Sequence, residues 1–347
     1  MSSTWLLENT WKTPGILAAL LRYVKKQHRF IREHLQPELD TAKALNDGSL
    51  HTTDFKKITQ YYGLAVPAIL GEELCALRGS EMSLQERLAL TYQGAMTGLG
   101  DDFFDKQIPS PEKMMAFLET PEKFTGHTAN ERLFLDFYKK ALEYAHDPEL
   151  VKYYLRKVLA AQIESKKQAV PGLSQKEILD ITIDKGGWSV LFYRAAMSHP
   201  LLQGEEEALY KMGGLMQFGN DVYGIYDDRN EDIHTLLTTS TKISETREIF
   251  RSVMNESFQV AYQAGYPVKN TKKFLRLVSM SLCSRCFVCF DQLEKKEAET
   301  GGVFSPKQYS RADLVCDMDK TRNKWRSVNW HIRHNIHPTG TSKEKVS

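Results

Sequence analysis

Long apolar runs are missing from this 347-residue chain, and so is an excess of either charge. No stretch of about eighteen apolar residues occurs, so no segment reads as a membrane-crossing helix. Forty-six basic side chains stand against 44 acidic ones, a net charge of +2, without the basic excess expected of a nucleic-acid-binding protein. Strand signals are scarce as well: no alternating run lies between Asn-Gly or Asp-Gly turns. No internal repeat is visible.

Cysteine is sparse. Cys75, Cys283, Cys286, Cys289 and Cys316 make an odd, low number for the length, which argues against a disulfide framework. The stretch Cys283-Ser-Arg-Cys286-Phe-Val-Cys289 has the spacing of a metal or iron–sulfur motif. Against that, Lys272 to Lys296 contains no Gly or Pro and reads as one helix, around which thiols three apart would drift. Nothing nearby offers a fourth ligand, and the expectation is soft core residues. The opening Met-Ser-Ser-Thr-Trp-Leu-Leu-Glu lacks the basic region and apolar block of a signal peptide, so the expected location is the cytoplasm.

What is present is helical periodicity. The apolar share, 41%, is enough to build a core. Ile16, Leu17, Leu20, Leu21, Val24, Ile31 and Leu35 form a stripe at three- and four-residue steps, with Pro14 and Gly15 expected to open that helix and Pro37 to close it. Thr53-Asp54 reads as the cap of a second helix reaching Arg78, and Gly79-Ser80 as its break. Ser83-Leu-Gln-Glu86 has capping-box form and starts a third helix ending around Asp105. The segment 107–130, with Pro109, Pro111, Pro121 and Gly126, is expected to be loop with one short helix. Helices are then expected at about 131–146, 148–168, 174–198, 205–228, 243–265, 270–298 and 307–334. The expected architecture is all-α, one domain over 1–338, with a disordered tail over 339–347.

Two of these helices, 83–105 and 205–228, are nearly apolar until their C-terminal ends, where acidic residues crowd. A helix apolar almost all round is a buried one. The first cluster is Asp101-Asp102-Phe103-Phe104-Asp105. Asp101 and Asp105 lie one turn apart on one face, with Asp102 beside them. Three carboxylates there repel one another and oppose the negative helix end, unless cations neutralise them. Oxygen-only ligands suit Mg²⁺, which shares its octahedron between a carboxylate or two, waters and substrate phosphates. The second cluster runs from Gln217-Phe218-Gly219-Asn220-Asp221 through Gly224 to Asp227-Asp228. Asn220, Gly224 and Asp228 share a face at spacing four, and Gly224 allows close approach to the backbone.

This pair of clusters resembles the class I isoprenoid synthases, in which an aspartate-rich DDxxD and a second motif face each other across a helical barrel. Asn220-Asp221-Val-Tyr-Gly224-Ile-Tyr-Asp227-Asp228 is similar to the terpene-synthase pattern NDxxSxxxE, with Gly224 in place of Ser or Thr and Asp228 in place of Glu. Lys185-Gly186-Gly187-Trp188 is similar to the lysine segment preceding FQxxDD in trans-prenyl diphosphate synthases, and Gln217 matches the glutamine of that FQ pair.

The resemblance covers about 85–335. It implies a helical barrel around an apolar cavity, with Asp101 and Asn220 facing each other across it. Catalysis is implied at Asp101, Asp102, Asn220 and Asp228, with about three Mg²⁺ ions held by Asp101, Asp102, Asp105, Asn220, Gly224 (through a water) and Asp228. The implied diphosphate contacts are Lys185, Gln217 and Arg229. The substrate implied is an isoprenyl diphosphate, and a homodimer is left open. Phe104, Trp188, Phe192, Phe218 and Tyr223 are aromatic candidates for the cation-guiding wall.

Within that superfamily, a chain elongase would carry an arginine pair soon after its first motif, a Gly-Lys-Arg segment near the N-terminus and a second DDxxD. Here Lys-Gln-Ile-Pro follows Asp105, and Gly224 stands where the last aspartate would be. A squalene- or phytoene-type head-to-head enzyme needs two DxxxD pairs, and Gly224 breaks the second. The favoured expectation is a terpene synthase, a lyase releasing pyrophosphate, with these two as alternatives and a non-catalytic relic as a third. The Arg-Tyr pair usual some eighty residues after the second motif is missing. Tyr309-Ser310-Arg311 stands there instead, with Arg322, Lys324 and Arg326 beyond, and Tyr309 and Arg322 are carried forward as diphosphate candidates.

Overall fold

Pro67 lies inside a helix, where its missing N–H leaves the carbonyl of Gly63 without the usual partner four residues on. The computed structural model supplies the replacement: Gln27 donates its side-chain amide to Gly63 O at 3.0 Å. The structure describes residues 4–106 and 111–334, of which the side chains of Thr4, 101–106 and 111–114 fall outside the description. Among the described residues there is no strand. The helices are α1 (Thr4–Phe30), α2 (Gln36–Ala44), α3 (Thr52–Lys56), α4 (Gly63–Ala65), α5 (Glu72–Arg78), α6 (Leu84–Lys106), α7 (Pro111–Glu119) and α8 (Ala129–Tyr144). They continue as α9 (Pro148–Ser165), α10 (Gln175–Arg194), α11 (Glu205–Asn230), α12 (Ile243–Ala261), α13 (Val268–Val278), α14 (Ser284–Glu299), α15 (Arg311–Leu314) and α16 (Thr321–Arg333). Four π-helical turns, at Ile31–Leu35, Lys57–Tyr62, Val66–Gly71 and Ser279–Cys283, join neighbouring helices without a break.

Contacts divide the chain into two compact units. The N-terminal unit holds Leu17–Leu159 and Leu191–Pro200. In it α6 packs along α8, and Leu90, Leu99, Phe134, Phe137 and Tyr138 are fully buried. Its interior also holds a closed polar network. Gln27 donates to Thr91 as well as to Gly63 and accepts from Arg87, and Arg87 pairs with Glu72. Both N–H donors and the oxygen of the fully buried Gln27 amide are thereby partnered. The expected capping box is present: Ser83 N–H donates to Glu86 at 2.8 Å and Glu86 N–H to the Ser83 hydroxyl at 3.1 Å. Gly79, at φ +82°, ends α5 in the left-handed region that glycine adopts without strain. At the other end of that stretch the N-cap is His51, two residues before the expected Thr53, and its N–H donates to Asp54 at 2.7 Å.

The C-terminal unit holds Met1–Ile16, Ala160–Val190 and Leu201–Ser347. Here the sequence expectation for the first helix is corrected, because Pro14 sits inside α1 instead of opening it. The residues before Pro14 are held helical by tertiary bonds. The buried Asn9 amide donates to the carbonyls of His331 and His334, at 3.3 and 2.9 Å, and Glu8 pairs with Arg276. Pro37 likewise begins α2, where a first-turn proline lacks nothing it needs, instead of closing α1. The helix expected at 307–334 is two, α15 and α16, separated by a turn in which Asp317 accepts from the Asp319 N–H and from the Asn323 side chain. The stretch 268–299 is continuous, as read from its lack of Gly and Pro. Its inner face meets Phe250 of α12 through Phe287, edge to face, and Phe290, tilted, and Phe250 meets Phe218 of α11 edge to face. No helix among the described residues is long and apolar enough to cross a membrane. The tail after Pro338 lies outside the described residues.

Candidate metal and diphosphate site

The second cluster lies on α11, whose inward face carries Met212, Leu215, Phe218, Val222 and Ile225, each at most 1% exposed. That burial fixes the rotation of the helix and turns Asn220 to the surface, with Gly224 and Asp228 half-buried. A Cβ placed on Gly224 would stand 3.6 Å from both carboxylate oxygens of Asp228, so the Asp228 side chain folds back over Gly224. Asp227 points elsewhere and is exposed.

α10 brings the lysine segment to this helix. A Cβ on Gly186 would come within 2.1 Å of the Gly213 carbonyl oxygen, and one on Gly213 within 2.3 Å of that of Gly186. The two backbones touch at this crossing, and no larger residue fits either position. Gly187 makes room for the ring of Tyr210, which meets Trp188 edge to face at 4.9 Å and donates its hydroxyl to Asp184. The close crossing sets Thr182 against Asp221 and brings the Lys185 charge within electrostatic reach of it.

Asp221 is the buried centre of the group, 6% exposed. Thr182 donates to one of its oxygens at 3.2 Å and Gln217 to the other at 2.8 Å. Burial pushes its carboxyl up to about 6, against the pull of those bonds and of the Lys185 charge. Burial, and after it the negative charge of Asp221, pushes Asp228 up to about 7, and Lys185 again pulls the other way. One ammonium thus faces two carboxyls raised above their ordinary range, with the Asn220 amide on the same helix. The arrangement carries more negative charge than its own cation relieves. A hard cation fits that donor set, since Mg²⁺ takes one or two carboxylates and completes its shell with waters and phosphate oxygens.

Other sequence candidates are placed differently. Arg229 donates to the carbonyls of Pro306 and Tyr309, at 3.0 and 2.7 Å, and lies 4.6 Å over the Tyr226 ring. It thereby anchors the turn before α15. Tyr309 is buried, its hydroxyl bonded to Thr300 at 2.6 Å and its ring stacked on Phe304. Arg322 is exposed in the first turn of α16. Arg311, on the exposed side, reaches the Tyr226 ring at 5.7 Å. Phe218 is wholly enclosed by core. Asp101, Asp102 and Asp105 fall in the last helical turns of α6, in the N-terminal unit, and their side chains lie outside the described residues.

Sequence reasoning missed Thr182 and the buried role of Asp221. The signal for Thr182 was its place one turn before Lys185 on the same helix. The five cysteines are free and buried, and among the described residues no three His, Cys, Asp or Glu side chains converge as a metal cluster. Cys286 approaches the Tyr223 hydroxyl at 3.5 Å, and the Cys289 and Cys316 thiols share a hydrogen bond. The chain matches no family model, no curated protein and no solved structure.

Proposed function

We propose that the protein is a class I terpene synthase, which ionises a linear isoprenyl diphosphate with Mg²⁺ and releases pyrophosphate. The observation that carries this reading is that the buried Asp221, and the charge of Lys185, act on the Asn220–Gly224–Asp228 face. An acidic group that relieves only part of its own charge suits a ligand of phosphate and cations together. In this reading Asn220 and Asp228 would hold an ion, and Asp101, Asp102 and Asp105 would hold the others.

Bound Mg²⁺ would supply the Lewis-acid charge that stabilises departing pyrophosphate. Lys185 offers its ammonium to the same developing charge. Gln217 and Thr182 keep Asp221 in place, and the Lys185 charge acts on Asp221 and Asp228 alike. The close crossing at Gly186 and Gly213 makes this pre-organised, since neither helix can shift without opening a packed contact.

The test is incubation of the full chain with C10 to C25 prenyl diphosphates and Mg²⁺, followed by pyrophosphate measurement and gas chromatography–mass spectrometry. The expected outcome is pyrophosphate release from one allylic substrate alone, abolished by EDTA, with an extractable hydrocarbon or alcohol. A longer diphosphate formed only with added isopentenyl diphosphate would show an elongase, and a symmetric dimer of two prenyl chains the head-to-head class. No turnover on any of them would overturn the enzymatic reading.

A further inference from the structure

The outer face of α1 from Ala18 onward, with the π turn that continues it, is basic in a way the whole chain is not. Arg22, Lys25, Lys26, Arg29 and Arg32 are all exposed, within eleven residues of a chain whose net charge is +2. At 3.6 residues per turn these five and Leu21 share an arc of about 140°. Opposite that arc lie Gln27, Phe30 and Ile31, which are buried. The five cations, with Ala18 and Leu21, line an open groove of about 680 Å³. Leu21 is 64% exposed at its edge. Glu33 is the acidic neighbour on this face, 3.7 Å from Arg29 and itself exposed.

We propose that this face of α1 docks on the surface of an anionic phospholipid bilayer. Charge complementarity selects the partner's sign, and the exposed leucine selects its kind. A helix lying in a membrane interface puts small apolar residues among the acyl chains while lysine and arginine stems lie along them, with the charged heads at the phosphates. Leu21 and Ala18, flanked by five long basic stems, have that arrangement. A nucleic-acid backbone would use the cations and gain nothing from Leu21. The docking is peripheral, which accords with the lack of a spanning helix among the described residues. It stands independently of the enzymatic reading, because every residue it uses lies in the N-terminal unit, away from the α10–α11 crossing in sequence.

The experiment is co-sedimentation of the full chain with phosphatidylcholine vesicles, with and without phosphatidylglycerol. Binding is expected only to the phosphatidylglycerol vesicles and should weaken as salt rises. Each basic side chain near such a surface is worth about a fivefold change in affinity, so Lys25→Glu with Lys26→Glu and Arg29→Glu should reduce binding by more than a hundredfold. Leu21→Ser should reduce it several-fold while leaving the charge unchanged. All four positions are exposed, so these variants keep the fold, as circular dichroism would verify. Lys295→Glu with Lys320→Glu, exposed and elsewhere in the chain, should bind as the parent does. The proposal is overturned by equal binding to neutral vesicles, by no binding, or by a triple variant that binds undiminished. It is overturned equally if duplex DNA binds as tightly and Leu21→Ser has no effect on either, or if the face proves to be buried between two copies in solution.

Discussion

Thr182 and Asp221 meet across the α10–α11 crossing, hydroxyl to carboxylate at 3.2 Å, 39 residues apart in sequence and both buried. A buried carboxylate held by two neutral donors depends on each of them. Thr182→Val keeps the shape and removes one donor. It should lower unfolding free energy by about 1–3 kcal/mol in urea titration, with Thr182→Ser close to the parent. In the proposed mechanism it should also lower turnover, because Asp221 would be held less firmly beside Asp228. A Thr182→Val protein as stable as the parent would show that the bond contributes nothing.

Two glycines of the site should respond oppositely to the same change. Gly224→Ser places its Cβ at ordinary contact distance from Asp228, and serine is a slightly better helix former than glycine. Thermal stability should hold or rise, and the proposed reading adds that half-maximal activity should need less Mg²⁺, since a hydroxyl ligand replaces a water. Gly186→Ser drives a Cβ to 2.1 Å from the Gly213 carbonyl oxygen, which backbone cannot yield cheaply. That variant should lose about 3 kcal/mol or more, or fail to fold. Equal melting temperatures for the two variants would mean the helices do not cross as closely as described.

The periodicity of α11 and the lysine segment of α10 were both legible, because each is written in consecutive residues. The reason for Gly186 was not, since its partner Gly213 lies on another helix. The same limit explains Pro14. Local rules place proline at helix ends, and only the distant bonds of Asn9 and Glu8 show that the chain before Pro14 stays helical. Gln27 reads as a polar interruption in an apolar stripe until Gly63 and Pro67 are seen across from it. For the site, residue types and register on one helix could be read. What Arg229 and Tyr309 touch, a turn and a threonine, depended on the path of the chain after α14.

Adjacent aspartates give a sharper test of register. Asp228 folds back over Gly224 and Asp227 is exposed, so under the proposed function Asp228→Ala should remove most turnover and Asp227→Ala little of it. Asp101→Ala and Asp102→Ala should each do the same as Asp228→Ala while the fold persists. Taking one carboxylate from a crowded acidic turn relieves repulsion, so stability should hold or rise slightly. Steady-state rates at saturating Mg²⁺, with circular dichroism alongside, decide this. Activity lost in Asp227→Ala and kept in Asp228→Ala would move the ligand by one residue.

His331 should contribute to the loss of stability in acid. Its ring is fully buried, with Nδ1 2.9 Å from the Ser279 hydroxyl and Nε2 without a partner. Burial pushes it down to about 4, helped by the Arg276 guanidinium and by His334, which is itself pushed down to about 4 by burial. Glu8, paired with Arg276, is the acidic group on that side. In the unfolded chain a histidine takes its proton near pH 6.5. Above that pH neither state is protonated there, and the residue is neutral in its effect on the slope. As pH falls from about 6.5 to about 4, the unfolded state gains a proton the folded state refuses, so stability drops progressively through that window. A difference of about 2.5 in pKa corresponds to about 3 kcal/mol between pH 7 and pH 4. His331→Gln keeps a polar partner for Ser279 and cannot titrate, so urea midpoints for that variant should fall less between pH 7 and pH 4.5 than those of the parent. Parallel pH profiles for the two proteins would rule out a buried neutral His331.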